Sequence, residues 1–251
     1  MLCCIIAKKI KKDIGLKKVV LASVVTAMAL YGAGNDKLFV SHVELGYVQT
    51  NGNTDTKTFN LDGNIKKDID KHSLKLSFDG QYAENDGEEN KNKYKIIGDY
   101  LYNFSDVLGF GYMIGYKDDK FSGFDYQFTT GPFVKWTALK DKVQTLAFDL
   151  GILYAKDKIE AGDTNDYASG ALALEYTYQI LENLKFSENA SYRTDLSDTD
   201  NSFIFSKTAI TTKLSDIFSA GVSYKIDYAQ TPPAGKKHTD STFAVNLIVD
   251  Y

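Results

Sequence analysis

The last nine residues, Phe243-Ala244-Val245-Asn246-Leu247-Ile248-Val249-Asp250-Tyr251, alternate in polarity. Apolar side chains fall at Phe243, Val245, Leu247, Val249 and Tyr251. Ile248 aside, the other face is small or polar: Ala244, Asn246 and Asp250. A strand repeats every two residues, so this segment has one greasy face and one wet face. Such a strand suits a barrel wall between lipid and a polar lumen. With a terminal aromatic residue, Phe243, Val245, Leu247, Val249 and Tyr251 are expected to form the signal that outer-membrane barrels show to the barrel-assembly machinery.

The other end of the chain agrees. Lys8, Lys9, Lys11, Lys12, Lys17 and Lys18 form a basic region, and an apolar run over residues 19–30 follows, broken only by Ser23 and Thr26. Gly32, Ala33 and Gly34 come next. This is the layout of a secretory signal peptide, with cleavage expected near Ala33. The run falls short of the roughly 20 residues of a spanning helix. The expected domains are therefore a signal peptide, 1–33, and one β-barrel, 34–251. Residues 1–33 hold six of the 29 basic residues and one of the 33 acidic ones, leaving 23 against 32, a net of −9. That balance disfavours nucleic acid as a partner. Both cysteines, Cys3 and Cys4, lie in the leader, so the barrel is expected to carry no disulfide or thiol chemistry.

Residues 34–251 read as one pattern repeated twelve times. The seventh segment is the cleanest, with Leu146, Phe148, Leu150, Ile152 and Tyr154 on one face. The fourth (Tyr94, Ile96, Gly98, Tyr100, Tyr102) and the fifth (Leu108, Phe110, Tyr112, Ile114, Tyr116) are nearly as regular. The tenth, with Ile204, Ile210 and Leu214, is the weakest. The opposite face carries charge: Asp79, Lys95, Asp99, Asp149, Glu175, Lys185, Lys207, Lys225 and Asp227. Segments of about 10–14 residues exceed soluble strands, which average about 5–6, and match membrane strands. Connections are expected to alternate. Short turns are placed at 67–71, 105–106, 140–142, 181–183 and 215–216, long polar loops at 83–91, 156–166, 195–201 and 229–240, and intermediate ones at 51–54 and 117–122. The expected fold is an all-β, antiparallel, up-and-down transmembrane barrel of twelve strands in the outer membrane, with both termini periplasmic. Two positions resist. Pro132 falls inside strand six, where a bulge at Gly131-Pro132 would accommodate it. Glu188 would face lipid unless the register shifts.

Glu44-Leu45-Gly46-Tyr47 followed by Thr50-Asn51-Gly52-Asn53-Thr54-Asp55-Thr56, then Phe121-Ser122-Gly123-Phe124-Asp125-Tyr126, and Asp240-Ser241-Thr242 before the last strand, together resemble the salt-induced outer-membrane proteins. This is a β-barrel family with a domain of unknown function. The resemblance spans residues 43–251. It implies an outer-membrane barrel with expression tied to salt or osmotic conditions, and it brings no catalytic residue, cofactor or substrate.

Catalysis needs a nucleophile or activated water beside a base. The three histidines, His42, His72 and His238, are scattered, and no hydrolase spacing surrounds them. No enzyme activity, cofactor or defined metal site is expected. Acidic loop clusters (Asp86, Glu88 and Glu89; Asp163 and Asp166; Asp195, Asp198 and Asp200) could share divalent cations with lipopolysaccharide. Arg193, the only arginine, argues against an arginine-lined anion site. Twelve strands fall between filled eight-stranded barrels and water-filled sixteen-stranded ones. A narrow passive channel for small solutes or ions therefore competes with a non-conducting barrel that uses its long acidic loops as a surface.

Overall fold

A computed structural model describes residues 39–50, 56–160 and 162–250. The signal segment, the cleavage position near Ala33, the 51–54 connection and Tyr251 lie outside the described residues. The elements are β1 (Val40–Thr50), β2 (Thr56–Ile69), β3 (His72–Asn85), β4 (Glu88–Asn103), β5 (Leu108–Asp119), β6 (Phe124–Lys140), β7 (Gln144–Ile159), β8 (Thr164–Leu181), β9 (Leu184–Asp195), β10 (Ser202–Lys213), β11 (Phe218–Ala229) and β12 (Thr239–Asp250). Each strand pairs antiparallel with its sequence neighbours, and β12 returns to β1 to close the barrel. Closure gives backbone donors and acceptors partners on both sides, which an apolar solvent demands.

Register then sorts the side chains. Leu45 faces Leu61 across β1–β2 and Leu247 across β1–β12, so the apolar set stays outside from strand to strand. Leu150 and Ile152 are 64% and 67% exposed, and Phe243 is 64% exposed. Large apolar side chains left open all round a barrel need an apolar surrounding. Aromatic pairs mark two levels. Tyr102–Phe104, Trp136–Phe148 and Tyr176–Phe186 lie toward the short-turn end. Tyr94–Tyr116 and Tyr116–Tyr126 lie toward the other. Tyr94 and Tyr102 on β4 stand roughly 20 Å apart along the axis at the usual rise and tilt, near the height of an apolar band.

The connections differ in detail from the sequence reading. The loop expected at 83–91 is mostly strand: β3 and β4 climb to a two-residue turn at Asp86 and Gly87, with φ of 51° and 81°. Both positive angles fit a tight hairpin turn. The 156–166 loop shrinks likewise, because β7 runs to Ile159 and β8 starts at Thr164. The loop expected at 195–201 occupies 196–201, and 230–238 is the longest connection among the described residues. Leu214, expected in strand ten, lies one residue beyond β10, in the turn.

Both resistant positions are solved without the expected devices. At Pro132 the register against β5 continues through Met113↔Gly131 and Tyr112↔Pro132, so no bulge forms there. Against β7 the ladder skips from Thr130↔Tyr154 to Phe133↔Gly151 and resumes unshifted. The missing proline donor is absorbed as a local opening of one ladder. Among the described residues, the five shifts in register fall elsewhere, at Ala83/Glu84, Lys117/Asp119, Phe124/Tyr126, Thr137/Leu139 and Gln179/Leu181. Glu188 stays on the outer face, level with Thr208, in an unshifted register. Ser206 donates to its Oε1 at 2.7 Å and Thr208 to its Oε2 at 2.5 Å, so two neighbouring hydroxyls satisfy the carboxylate.

Candidate functional site

The lumen has two unlike halves. Along β5 to β8 many inward positions are small, namely Gly109, Gly111, Gly115, Gly151, Ala147, Ala155, Ala171 and Ala173, between larger ones such as Met113, Leu153, Asp149 and Glu175. Phe133 lies across this wall. A Cβ added at Gly111 would stand 2.3 Å from its ring and 2.6 Å from the Tyr100 carbonyl oxygen. Only glycine fits beneath the ring.

From β10 round through β1 to β4 the lumen is filled by charge. Lys225, 2% exposed, places its ammonium 2.7 Å from Asp62 and 2.5 Å from Asp79. Lys207 reaches Glu44 at 2.7 Å and Asp62 at 3.4 Å. Lys93 reaches Asp227 at 2.6 Å and Lys117 reaches it at 3.4 Å. Glu44 is further held by Asn246, which donates at 2.8 Å, and by His42 Nε2 at 3.0 Å. His42 Nδ1 lies 2.5 Å from Asp250, tying β1 to β12 on the inner side of the seam. Buried charges persist only when paired in this way.

Some pairs cross the lumen. Lys75 on β3 reaches Glu175 on β8 at 3.1 Å, nearly a full diameter away. Lys135 joins it, 3.1 Å from Glu175 and 3.2 Å from Asp149. This crossbar lies toward the short-turn end. Higher up, Lys95 on β4 sets its ammonium over the Phe205 ring of β10, the opposite strand, at 5.1 Å. Two cavities meet at that waist. One of about 570 Å³ opens toward the long-loop end, and one of about 430 Å³ toward the short-turn end; Ser77, Lys95, Ile97 and Phe205 line both. Near the long-loop end, Asp157 accepts hydrogen bonds from Gln127 (3.2 Å) and Tyr167 (2.6 Å) and pairs with Arg193 at 3.4 Å. The 230–238 loop reaches over the mouth: a Cβ at Gly123, in the opposite β5–β6 turn, would stand 2.7 Å from Pro233.

The charged residues read from the alternation all lie on the inner face. What the alternation left out is the inward aromatic set, Phe133, Phe203 and Phe205. The parity that puts Lys207 inside also puts Phe203 and Phe205 inside, so the signal was present in β10. On β12, Phe243, Val245 and Leu247 are exposed outward and Ala244, Asn246 and Ile248 are buried. The histidines stay apart. His42 is at the seam, His72 takes a Tyr100 hydroxyl at 2.8 Å near the short turns, and His238 stacks on Tyr228 at the other end. Among the described residues no three His, Cys, Asp or Glu side chains converge to hold a metal. The acidic loops largely serve their own turns: Asp195 Oδ1 accepts from the Ser197 amide and hydroxyl, and Asp198 Oδ1 from the Asp200 amide.

Comparison with solved structures places this architecture. The NanC porin superimposes with a TM-score of 0.51 at 10% identity, covering 84% of this chain and 98% of that one. At that identity the likeness speaks for the fold alone. The KdgM porin in complex with disordered oligogalacturonate gives 0.45 at 11% identity, over 85% and 98%. A comparison with curated proteins gives no match. The profile of a family described as "Protein of unknown function, DUF481" matches residues 43–251. That is the span of the three motifs at Glu44, Phe121 and Asp240, and it includes all twelve strands but the first residues of β1: the chain belongs to the DUF481 family.

Proposed function

We propose that this barrel sits in the outer membrane, with both termini periplasmic, and works as a narrow passive channel for small solutes or ions. The observation that carries the reading is the pair of cavities, one of about 570 Å³ along the small-residue wall and one of about 430 Å³ along the charged half, that meet at Lys95 and Phe205. The even strand count puts both ends of the chain on the short-turn side, which is the periplasmic side in such barrels. Lipopolysaccharide around the long-loop end and the assembly machinery at β12 follow as partners, and divalent cations at the acidic loops belong to the same reading. No catalytic role is assigned. The salt or osmotic link that accompanies the family resemblance would be a matter of when the channel is made.

The test is single-channel recording in a planar bilayer, with protein expressed from the full chain and purified from membranes. Reproducible steps that shrink with larger ions or added polymer support the channel. A heat-modifiable barrel that stays silent overturns it. The second reading, a non-conducting surface barrel, is favoured by the Lys75–Glu175 crossbar and by the loop over the mouth. Replacing residues 230–238 by a short turn separates the two: a channel keeps or gains conductance, whereas a surface role is lost.

A further inference from the structure

We infer that the waist of the lumen is a binding site for small organic anions, in which a carboxylate sits on Lys95 and an adjoining ring or apolar face lies against Phe205. The inference deepens the channel reading by naming a solute class, and as a transport statement it rests on that reading. Its physical basis is an ammonium without a close counter-charge. Five inward lysines surround this level: Lys93, Lys95, Lys117, Lys207 and Lys225. Five carboxylates lie among them: Glu44, Asp62, Asp79, Asp119 and Asp227. Lys93, Lys117, Lys207 and Lys225 each hold one or two of these within 4.0 Å. Lys95 holds none. Among the described residues its ammonium has no hydrogen bond and no ion pair, and its one close partner is the Phe205 ring at 5.1 Å.

An ammonium in a confined lumen without a counter-charge is costly, and a mobile anion removes that cost. The Asp227 and Asp79 charges act on Lys95 from beyond pairing distance, and Lys117 and Arg193 repel it. Those acids are already committed, Asp227 to Lys93 and Asp79 to Lys225, so they compete weakly with an arriving carboxylate. The walls choose the rest of the ligand. Phe205, Phe203, Phe133 and Met113 offer apolar faces, and Gly115 and Gly151 leave the room. A ring beside a carboxylate fits that combination, since aromatic faces stack while the anion meets the ammonium. Because both cavities share Lys95 and Phe205, the site is reachable from either end.

The probe is 4-fluorobenzoate, with 4-fluorobenzylamine as its cationic counterpart. The protein is expressed from the full chain and purified in detergent, and each variant is first shown to be folded by heat-modifiable migration. In bilayers, 4-fluorobenzoate is expected to block chloride current in a saturable way. The half-blocking concentration should rise roughly tenfold in Lys95→Gln, about the loss of one charge-assisted contact, and severalfold in Phe205→Leu. It should not change in Lys67→Gln, a lysine that makes the same kind of ring contact with Phe39 outside the lumen. Equal block of wild type and Lys95→Gln, or equal block by the amine, overturns the site while leaving the channel intact. If the wild-type protein is silent, the channel reading falls by itself. The site is then decided by ¹⁹F line broadening of the probe in detergent: broadening that Lys95→Gln abolishes supports it, and no broadening, or the same broadening in both, overturns it.

Discussion

At the level of single residues, the molecule is held by commitments that fail when half-broken. Lys225 is the clearest case. Lys225→Met leaves Asp62 and Asp79 adjacent and without that ammonium, and is expected to destabilise the barrel by about 3–5 kcal/mol. Combining it with Asp62→Asn and Asp79→Asn should recover most of the loss, and urea unfolding followed by gel migration measures both. Gly111→Val is a steric test. Its side chain would enter the space of Phe133 and the Tyr100 carbonyl, and a cost of about 1–3 kcal/mol is expected in the same assay. Glu188→Leu removes a charge from the apolar face along with two hydrogen bonds, and should leave stability unchanged or higher, whereas Ser206→Ala with Thr208→Val should lower it. The inward position of Asp62, Asp79 and Lys225 was legible, because a period of two fixes which face a residue takes. Their pairing was not. Lys225 and Asp79 are 146 positions apart and meet only because the ring closes at twelve strands. Glu188 was legible as a problem. Its answer, on β10, depended on register.

At the level of elements, turns and the seam decide behaviour. The β6–β7 connection is organised by Asp141, whose carboxylate accepts from the Val143 and Gln144 amides at 2.8 and 2.9 Å. Those two amides hold its pKa below the ordinary carboxylate value. A folded pKa lowered in this way stabilises the turn above the unfolded value, near 3.9, and the support fades as pH falls through the folded one. Protection of the Val143 and Gln144 amides, taken against the intrinsic exchange rate at each pH, should therefore fall on acidification below that range, and Asp141→Ala should show low protection at every pH. Among the described residues the seam is the shortest ladder. It runs only from His42↔Asp250 to Gly46↔Asn246, while β1–β2 continues to Thr50↔Thr56. A Val43→Cys, Val249→Cys pair bridges it, and the oxidised form should unfold at higher temperature than the reduced form. Cys3 and Cys4 are the only native cysteines, both in the expected leader. Strand number and order were legible because each strand carries its own alternation. Connection lengths were not: residues 83–91 are polar enough to be a loop, yet cross-strand pairs such as Tyr82↔Asn92 carry the hairpin upward.

At the level of the whole molecule, the charged half and the small-residue half act separately. The Lys75–Glu175 crossbar spans the lumen where the small-residue wall leaves it open. Lys75→Gln with Glu175→Gln should raise single-channel conductance without moving the anion preference, because the Lys95 level is untouched; conductance and reversal potential in one recording check both parts. Ions at the surface are screened by salt within about 10 Å at 0.1 M, while pairs inside the lumen are shielded less, so the preference should outlast moderate salt. The eccentric placement of the open half has a practical consequence. Most of the lysines stand on β3, β4, β10 and β11, away from Ala171 and Ala173 on β8, so width and charge can be adjusted separately. Bulkier residues at Ala171 or Ala173 would narrow the lumen as a sieve is narrowed, leaving the lysines of the proposed anion site where they are. On the proposed channel reading, a barrel built this way can change what size it admits without relearning what charge it prefers.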